Sequence, residues 1–242
     1  MKYHDHPLRH EMKFLISYHD YYSLASSIGS VMPCDENSTD GGYFIRSLYF
    51  DDIYHSSYNE KGAGVFRRRK WRIRTYNLSD EVIKFEIKDK YDNYISKMSA
   101  TISQEECIGM MHGDFGFMLD SDKQALRAGF IDARLRQIAP RVVVDYYREA
   151  YVSEEGNVRI TFDSDLRASV GSLDIFDKSL FTKPAMQEGT LILEVKYDDF
   201  LPQTVRKLLA PLDSRQTSLS KFTMCCDTQN TYYRKEATNV II

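Results

Sequence analysis

A closed antiparallel β-barrel of the α+β class, its outer wall covered by helices, is the fold that this 242-residue sequence predicts. Three observations carry that expectation. Eight segments read as strands, and on several of them charged and apolar residues alternate with a strand's period of two. The apolar residues occupy the face that an open sheet would give to water. Helical segments between the strands supply the cover such a face needs.

The arginine-rich stretch 66–76 shows the inversion most clearly. Arg68, Lys70, Arg72 and Arg74 fall on one face, and Trp71, Ile73 and Thr75 fall on the other. Upstream, residues 9–17 form a first strand with Arg9, Glu11 and Lys13 opposite His10, Met12 and Phe14. Residues 18–32 have helical periodicity, 35–42 form a polar loop, 43–50 a second strand and 52–60 a short helix. Lys61-Gly62-Ala63-Gly64 turns the chain into the arginine strand. Asn77-Leu78-Ser79-Asp80 has hairpin composition. The next strand, 81–90, sets Lys84, Glu86, Lys88 and Lys90 against Ile83, Phe85 and Ile87. A turn at 91–93 leads into strand 94–102, which carries Lys97, so the three strands form an antiparallel meander.

From residue 103 to 139 the pattern becomes helical, with a capping box at Ser103–Glu106 and a second helix over 121–138. Strands resume at 141–152 and 158–163, joined by 154–157, and again at 190–197, where Ile192, Glu194 and Lys196 alternate with Leu193, Val195 and Tyr197. Residues 202–212 and 218–231 close the chain as helices. Without a repeat or an evident linker, the expectation is a single domain over 1–242.

Bulk composition excludes several classes. With 32 basic against 35 acidic residues, the net charge is −3 and the pI about 6.1, which gives no reason for general nucleic-acid or membrane binding. One Trp and no stacking motif also argue against RNA binding. Four cysteines without metal spacing read as reduced thiols. No apolar run approaches the roughly 18–20 residues of a membrane span, and a cytoplasmic location is expected.

A barrel lined with Arg and Lys needs compensation, because a desolvated charge costs several kcal/mol. Water, carboxylates and a bound polyanion can supply it. Glu11, Glu86 and Glu194 lie on the charged faces, each two residues before a lysine: Lys13, Lys88 and Lys196. Such pairs are either internal salt bridges or places where a divalent cation is held, since Mg²⁺ takes one or two carboxylates plus phosphate oxygens. The cationic faces suggest crowding that removal of one arginine would relieve.

The ordered set Arg9-His10-Glu11-Met12-Lys13-Phe14, Ser47-Leu48-Tyr49-Phe50-Asp51, Arg72-Ile73-Arg74, Phe85-Glu86-Ile87-Lys88, Tyr146-Tyr147-Arg148-Glu149-Ala150-Tyr151, Arg159-Ile160-Thr161-Phe162-Asp163, Leu193-Glu194-Val195-Lys196-Tyr197 and Ser220-Lys221-Phe222 resembles the catalytic domain of the vacuolar transporter chaperone (VTC) polyphosphate polymerases. These belong to the triphosphate tunnel metalloenzymes, the CYTH-like superfamily. The resemblance spans roughly residues 7–230 and rests on the series, as no single motif is strong. It implies an eight-stranded tunnel with a C-terminal helix at one mouth, binding a nucleoside triphosphate and Mn²⁺ or Mg²⁺. It also implies an ATP–polyphosphate phosphotransferase that moves the γ-phosphate of ATP onto inorganic polyphosphate, with tripolyphosphate or pyrophosphate as related ligands.

Carried over by motif, Lys13, Arg72, Arg74, Lys88 and Lys221 would act on the transferring phosphates. Lys97, Tyr146, Arg148, Arg159, Lys196 and Ser220 would bind phosphate. Glu194 and Glu11 would hold the metal. CYTH hydrolases typically begin Glu-x-Glu-x-Lys, and here the first position is Arg9, which favours holding more phosphate over activating water. Two open tunnel ends would let a long product leave. The 242 residues include neither the SPX domain nor the membrane spans of eukaryotic VTC proteins, so inositol-phosphate control and coupled translocation are not implied. The alternatives are hydrolysis of tripolyphosphate or a nucleoside triphosphate in the same tunnel, and a polyphosphate-binding module without turnover; the carboxylates speak against the last.

Overall fold

The computed structural model describes residues 2–3, 6–7, 9–38, 41–62, 65, 67–91 and 94–239. Ala63, Gly64 and Phe66 of the anticipated entry into the arginine strand, and Asp92 and Asn93 of the anticipated turn, lie outside the described residues. In chain order the elements are β1 (Lys2–Tyr3), β2 (His6–Pro7), β3 (Arg9–Ser17), α1 (Tyr18–Gly29), β4 (Tyr43–Asp51), α2 (Ser56–Gly62), β5 (Arg67–Tyr76), β6 (Ser79–Tyr91) and β7 (Tyr94–Ile102). Then come α3 (Gln104–Met111), α4 (Gln124–Arg136), β8 (Ala139–Ser153), β9 (Val158–Ser169), β10 (Thr182–Pro184), β11 (Thr190–Tyr197), α5 (Gln203–Leu209) and α6 (Lys221–Asn239).

Eight strands run around the barrel in the order β9-β11-β3-β7-β6-β5-β4-β8, and pairing of β8 with β9 closes it. Every pairing is antiparallel. The β3–β7 seam is the shortest, with two residue pairs, Arg9 with Ile95 and His10 with Tyr94. Past it the edge of β3 is covered by the segment before α6, where Thr217 N–H donates to the Lys13 carbonyl at 2.9 Å. Strand β9 runs further than its alternating pattern foretold. It continues through Asp165, at φ 48°, to Ser169, and there it pairs with the unanticipated β10.

Local chemistry fixes the corners. Capping boxes start α1, with Ser17 and Asp20, and α3, with Ser103 and Glu106. The β5–β6 hairpin turns on Asn77 and Leu78, both left-handed at φ 51° and 54°, as a two-residue turn matched to strand twist requires. Asn tolerates that region and Leu does not. Leu78→Gly is therefore expected to raise stability by about 1 kcal/mol, read as a higher denaturation midpoint; a lower midpoint would mean that Leu78 packing outweighs its strain. Gly42, at φ 121°, lets β4 approach β8: a Cβ there would lie 2.5 Å from the Arg148 carbonyl oxygen.

The apolar faces of the strands point outward under helices, as the inverted pattern demands. One layer joins Trp71, Ile73, Phe85 and Ile87 to α3 and α4, with Trp71 edge-on to Phe85 at 5.2 Å. A second joins Phe14, Ile160, Phe162, Leu193 and Val195 to α1 and α5. Burying each such side chain contributes about 1.5–3 kcal/mol. A third apolar group lies inside the barrel: Ile45, Tyr49, Val144 and Ile192 meet Phe222, Cys225 and Cys226 of α6. The start of α6 thus fills one mouth, and the expectation of two open ends does not hold there. Phe222, Cys225 and Cys226 are the residues that make the plug apolar and buried. All four cysteines are free thiols.

Candidate active site

The interior beyond that plug is a network of ions. Four buried carboxylates, Glu11, Glu86, Asp163 and Glu194, each serve several cations. Glu11 pairs with Lys88 at 2.8 Å, Lys13 at 3.3 Å and Lys196 at 3.8 Å. Glu194 pairs with Lys196, with Lys13 at 3.3 Å and with Lys221 at 4.0 Å. Lys13 and Lys196 therefore bridge the two carboxylates expected to hold metal. Glu86 takes Arg72 at 2.6 Å, Lys97 at 2.9 Å and Arg74 at 3.8 Å. Asp163 accepts two hydrogen bonds from the Arg148 guanidinium, at 2.6 and 2.8 Å, and pairs with Lys221.

Two tyrosines extend the network. Arg72 donates to Tyr49 Oη at 3.0 Å, and Arg74 donates to Tyr146 Oη at 3.0 Å and to Ser47 Oγ at 3.3 Å. Lys221 Nζ lies 5.0 Å from the centre of the Tyr146 ring. Lys70 donates to Ser220 Oγ at 2.8 Å, and the same hydroxyl accepts from Thr223 N–H at 3.3 Å, as the cap of α6.

The strands thus bring Lys13, Arg72, Arg74, Lys88, Tyr146, Arg148, Lys196, Lys221, Glu11 and Glu194 into one interior. Ser220 sits at its α6 end. Two predicted residues are peripheral. Lys97 is half exposed while it reaches Glu86, and Arg159 turns to the rim, pairing with Asp35 at 2.5 Å and donating to Tyr43 Oη. Arg9 does not add a cation to the interior, because it pairs with Asp198 at 2.9 Å and donates to the Asn157 carbonyl. Glu86 and Lys88 do not pair with each other as their spacing suggested; Glu86 reaches the adjacent β5 and β7, and Lys88 reaches past β7 to Glu11 on β3.

Reading the sequence set Lys70 and Glu86 on the charged faces and quoted Tyr49 and Asp163 within motifs, but gave none of the four a place in the carried-over phosphate or metal set. The signal for Asp163 was present, since period two from Arg159 puts Thr161 and Asp163 on the inner face. Tyr49 follows Ser47 by the same rule. What the pattern does not reveal is which cation each carboxylate serves.

Electrostatics follow from the pairing. Burial, the largest influence, and Glu194 push the Glu11 carboxyl up, but Lys13, Lys88 and Lys196 together hold it down at about 2. Burial likewise pushes Asp163 up, and Arg148 and Lys221 outweigh it to hold Asp163 at about 2. Glu86 and Glu194 are held well below the carboxylate range by their cations, against burial. Burial drives Lys88 down to about 8, helped by Lys13 and Lys196 and opposed by Glu11 and Glu194. Burial raises the Tyr146 phenol, and Arg148, Arg74 and Lys221 bring it below the ordinary tyrosine value.

Carboxyls depressed on folding contribute stability above their unfolded values, 4.5 for Glu11 and 3.8 for Asp163, and lose it as pH falls to about 2. Urea midpoints are therefore expected to drop between about pH 5 and pH 2. A flat profile over that window would show that these pairs add nothing to the folded state.

Among the described residues no group of three or more His, Cys, Asp or Glu side chains is arranged to hold a metal. The donors nevertheless suit a hard divalent cation that also takes phosphate oxygens: two ionised carboxylates now bridged by ammonium groups, and the buried Thr161 hydroxyl, directly opposite Glu194 in register and without a hydrogen-bond partner.

No curated protein matches this sequence. Among solved structures, it is similar to a candidate adenylate cyclase from Bacillus halodurans, at 13% identity and a TM-score of 0.53, covering 88% of this chain and 94% of that one. It is also similar to a candidate adenylyl cyclase from Hippeastrum, described as revealing a dominant triphosphatase activity, at 13% identity and a TM-score of 0.54, covering 92% and 96%. At that identity the likeness establishes the fold, a triphosphate-tunnel barrel. The family model of the VTC domain matches residues 8–230, the span over which the barrel strands, their buried ions and the start of α6 are laid out, and the chain belongs to the VTC domain family.

Proposed function

We propose that this protein is a metal-dependent polyphosphate polymerase, transferring the γ-phosphoryl group of ATP to the end of an inorganic polyphosphate chain inside its barrel. The observation that carries this reading is the interior itself. Basic side chains outnumber the carboxylates they pair with, and the arginines among them are already held in place. A terminal phosphate oxygen of the chain would form the new P–O bond, the bond to the ADP oxygen would break, and ADP would leave with the electron pair.

Arg72 and Arg74 would grip the transferring phosphate, since a guanidinium fork matches two phosphate oxygens. Their pairings with Glu86, Tyr49 and Tyr146 orient them beforehand. Arg148, fixed by Asp163, and Lys221 would meet the next phosphate, while Lys13, Lys88 and Lys196 would exchange carboxylate for phosphate oxygens. Glu11 and Glu194 would hold Mn²⁺ or Mg²⁺, which when bound neutralises phosphate charge and orients the donor. Phosphoryl transfer needs little covalent help from protein, so positioning and charge suffice. The α6 plug leaves the product the opposite mouth or a path requiring α6 to shift. A reading as one cytoplasmic domain over 1–242 goes with this proposal. No described helix is long and apolar enough to cross a membrane.

Incubation with ATP and Mn²⁺ should give polyphosphate on a stained gel, with one ADP released per phosphate incorporated. Free phosphate appearing instead of polymer would assign the tunnel to hydrolysis, the activity attributed to the Hippeastrum protein. Binding of polyphosphate with neither product would leave a binding module.

A further inference from the structure

On the outer side of the barrel wall, residues of α1, β8 and β9 line a small cavity, among them Tyr18, Tyr21, Tyr147, Glu149, Phe162 and Ser164. Glu149 faces outward because it alternates with the inward Arg148. Its carboxylate accepts hydrogen bonds from Tyr21 Oη at 2.5 Å and from Tyr151 Oη. Among the described residues no lysine or arginine forms an ion pair with it, although every carboxylate of the interior has at least two cations. Tyr147 and Tyr18 remain 49% and 38% exposed beside it, a large aromatic surface that the core does not use. Tyr21 stands edge-on to Phe162 at 5.0 Å. Burial and the bond to Glu149 push the Tyr21 phenol up, so it stays a hydrogen-bond donor.

A half-buried carboxylate without a counter-ion, under aromatic rings, is complementary to a cation. The rings carry faces of negative potential, and with a phenol donating to each carboxylate oxygen the remaining lone pairs of Glu149 and the Ser164 hydroxyl are few acceptors for a cation's N–H groups. An ammonium with four N–H donors would lose hydration that these few acceptors replace only in part, whereas an alkylated ammonium loses little. We propose that this cavity binds a quaternary ammonium group of choline type, at a site separate from the barrel interior. It does not depend on the phosphotransfer reading, since the ligand differs and the site lies on the other face of the wall.

Titration of the full chain with tetramethylammonium or choline, at constant ionic strength and followed through tyrosine ring resonances, tests it. Saturable shifts are expected for both ions, with ammonium binding about tenfold more weakly. Glu149→Gln should weaken binding about tenfold. Because Glu149 also anchors two phenols, Tyr147→Ala is the second variant: its half-exposed ring should be removable with the melting temperature kept and affinity reduced by a similar factor. Absence of saturable shifts with either ion, equal affinity for ammonium, or unchanged affinity in Tyr147→Ala would overturn the proposal.

Discussion

Arg72→Ala is expected to lower ATP-dependent turnover by about 10²–10³-fold, the usual loss when one preorganised donor to a developing anion is removed. Arg72→Lys should recover only part of it, because an ammonium on a flexible stem cannot reproduce the fork that Glu86 and Tyr49 hold in place. The sequence alone suggests that losing a cation relieves crowding and raises the melting temperature of the free protein. The structure reverses that sign. Arg72 is the closest partner of the buried Glu86, and its removal leaves that carboxylate to Lys97 and the more distant Arg74. Breaking a buried pair costs up to roughly 3–5 kcal/mol. The remaining partners reduce the loss, so a destabilised but folded variant is expected. Turnover within a few-fold of wild type would place the transferring phosphate elsewhere.

Glu194→Gln is expected to abolish metal-dependent turnover, because the amide keeps the shape and removes the charge that a divalent ion needs. It also takes a partner from Lys13, Lys196 and Lys221. Each keeps a second carboxylate: Glu11 for the first two and Asp163 for the third. The stability loss should therefore stay below the roughly 3–5 kcal/mol of a fully orphaned charge. Full activity at saturating Mn²⁺ would show that the metal is held without Glu194, with Glu11 the next candidate.

These energetic details mark where the sequence stops being readable. Strand existence and inner-face membership were legible, because a period of two is written directly into 66–76, 81–90 and 190–197. Capping chemistry announced α3 just as plainly. Partner choice was not legible, since it depends on register between strands distant in sequence: Lys88 meets Glu11 across 77 positions, not Glu86 beside it. The resemblance set the C-terminal helix at one mouth, but that it fills the mouth was not legible, because Phe222, Cys225 and Cys226 read as any amphipathic helix until the barrel end they enter is known. Strand β10 is three residues long, too short to carry a pattern.

The central claim is that the barrel interior is a phosphate site, and thermal melts with and without tripolyphosphate test it most directly. Ligand at 100 times its dissociation constant should stabilise the wild type by about 2.7 kcal/mol. Arg72→Ala and Arg74→Ala should lose most of that shift at the same concentration, whatever their melting temperatures without ligand. Equal ligand-induced shifts in the wild type and both variants would contradict the account.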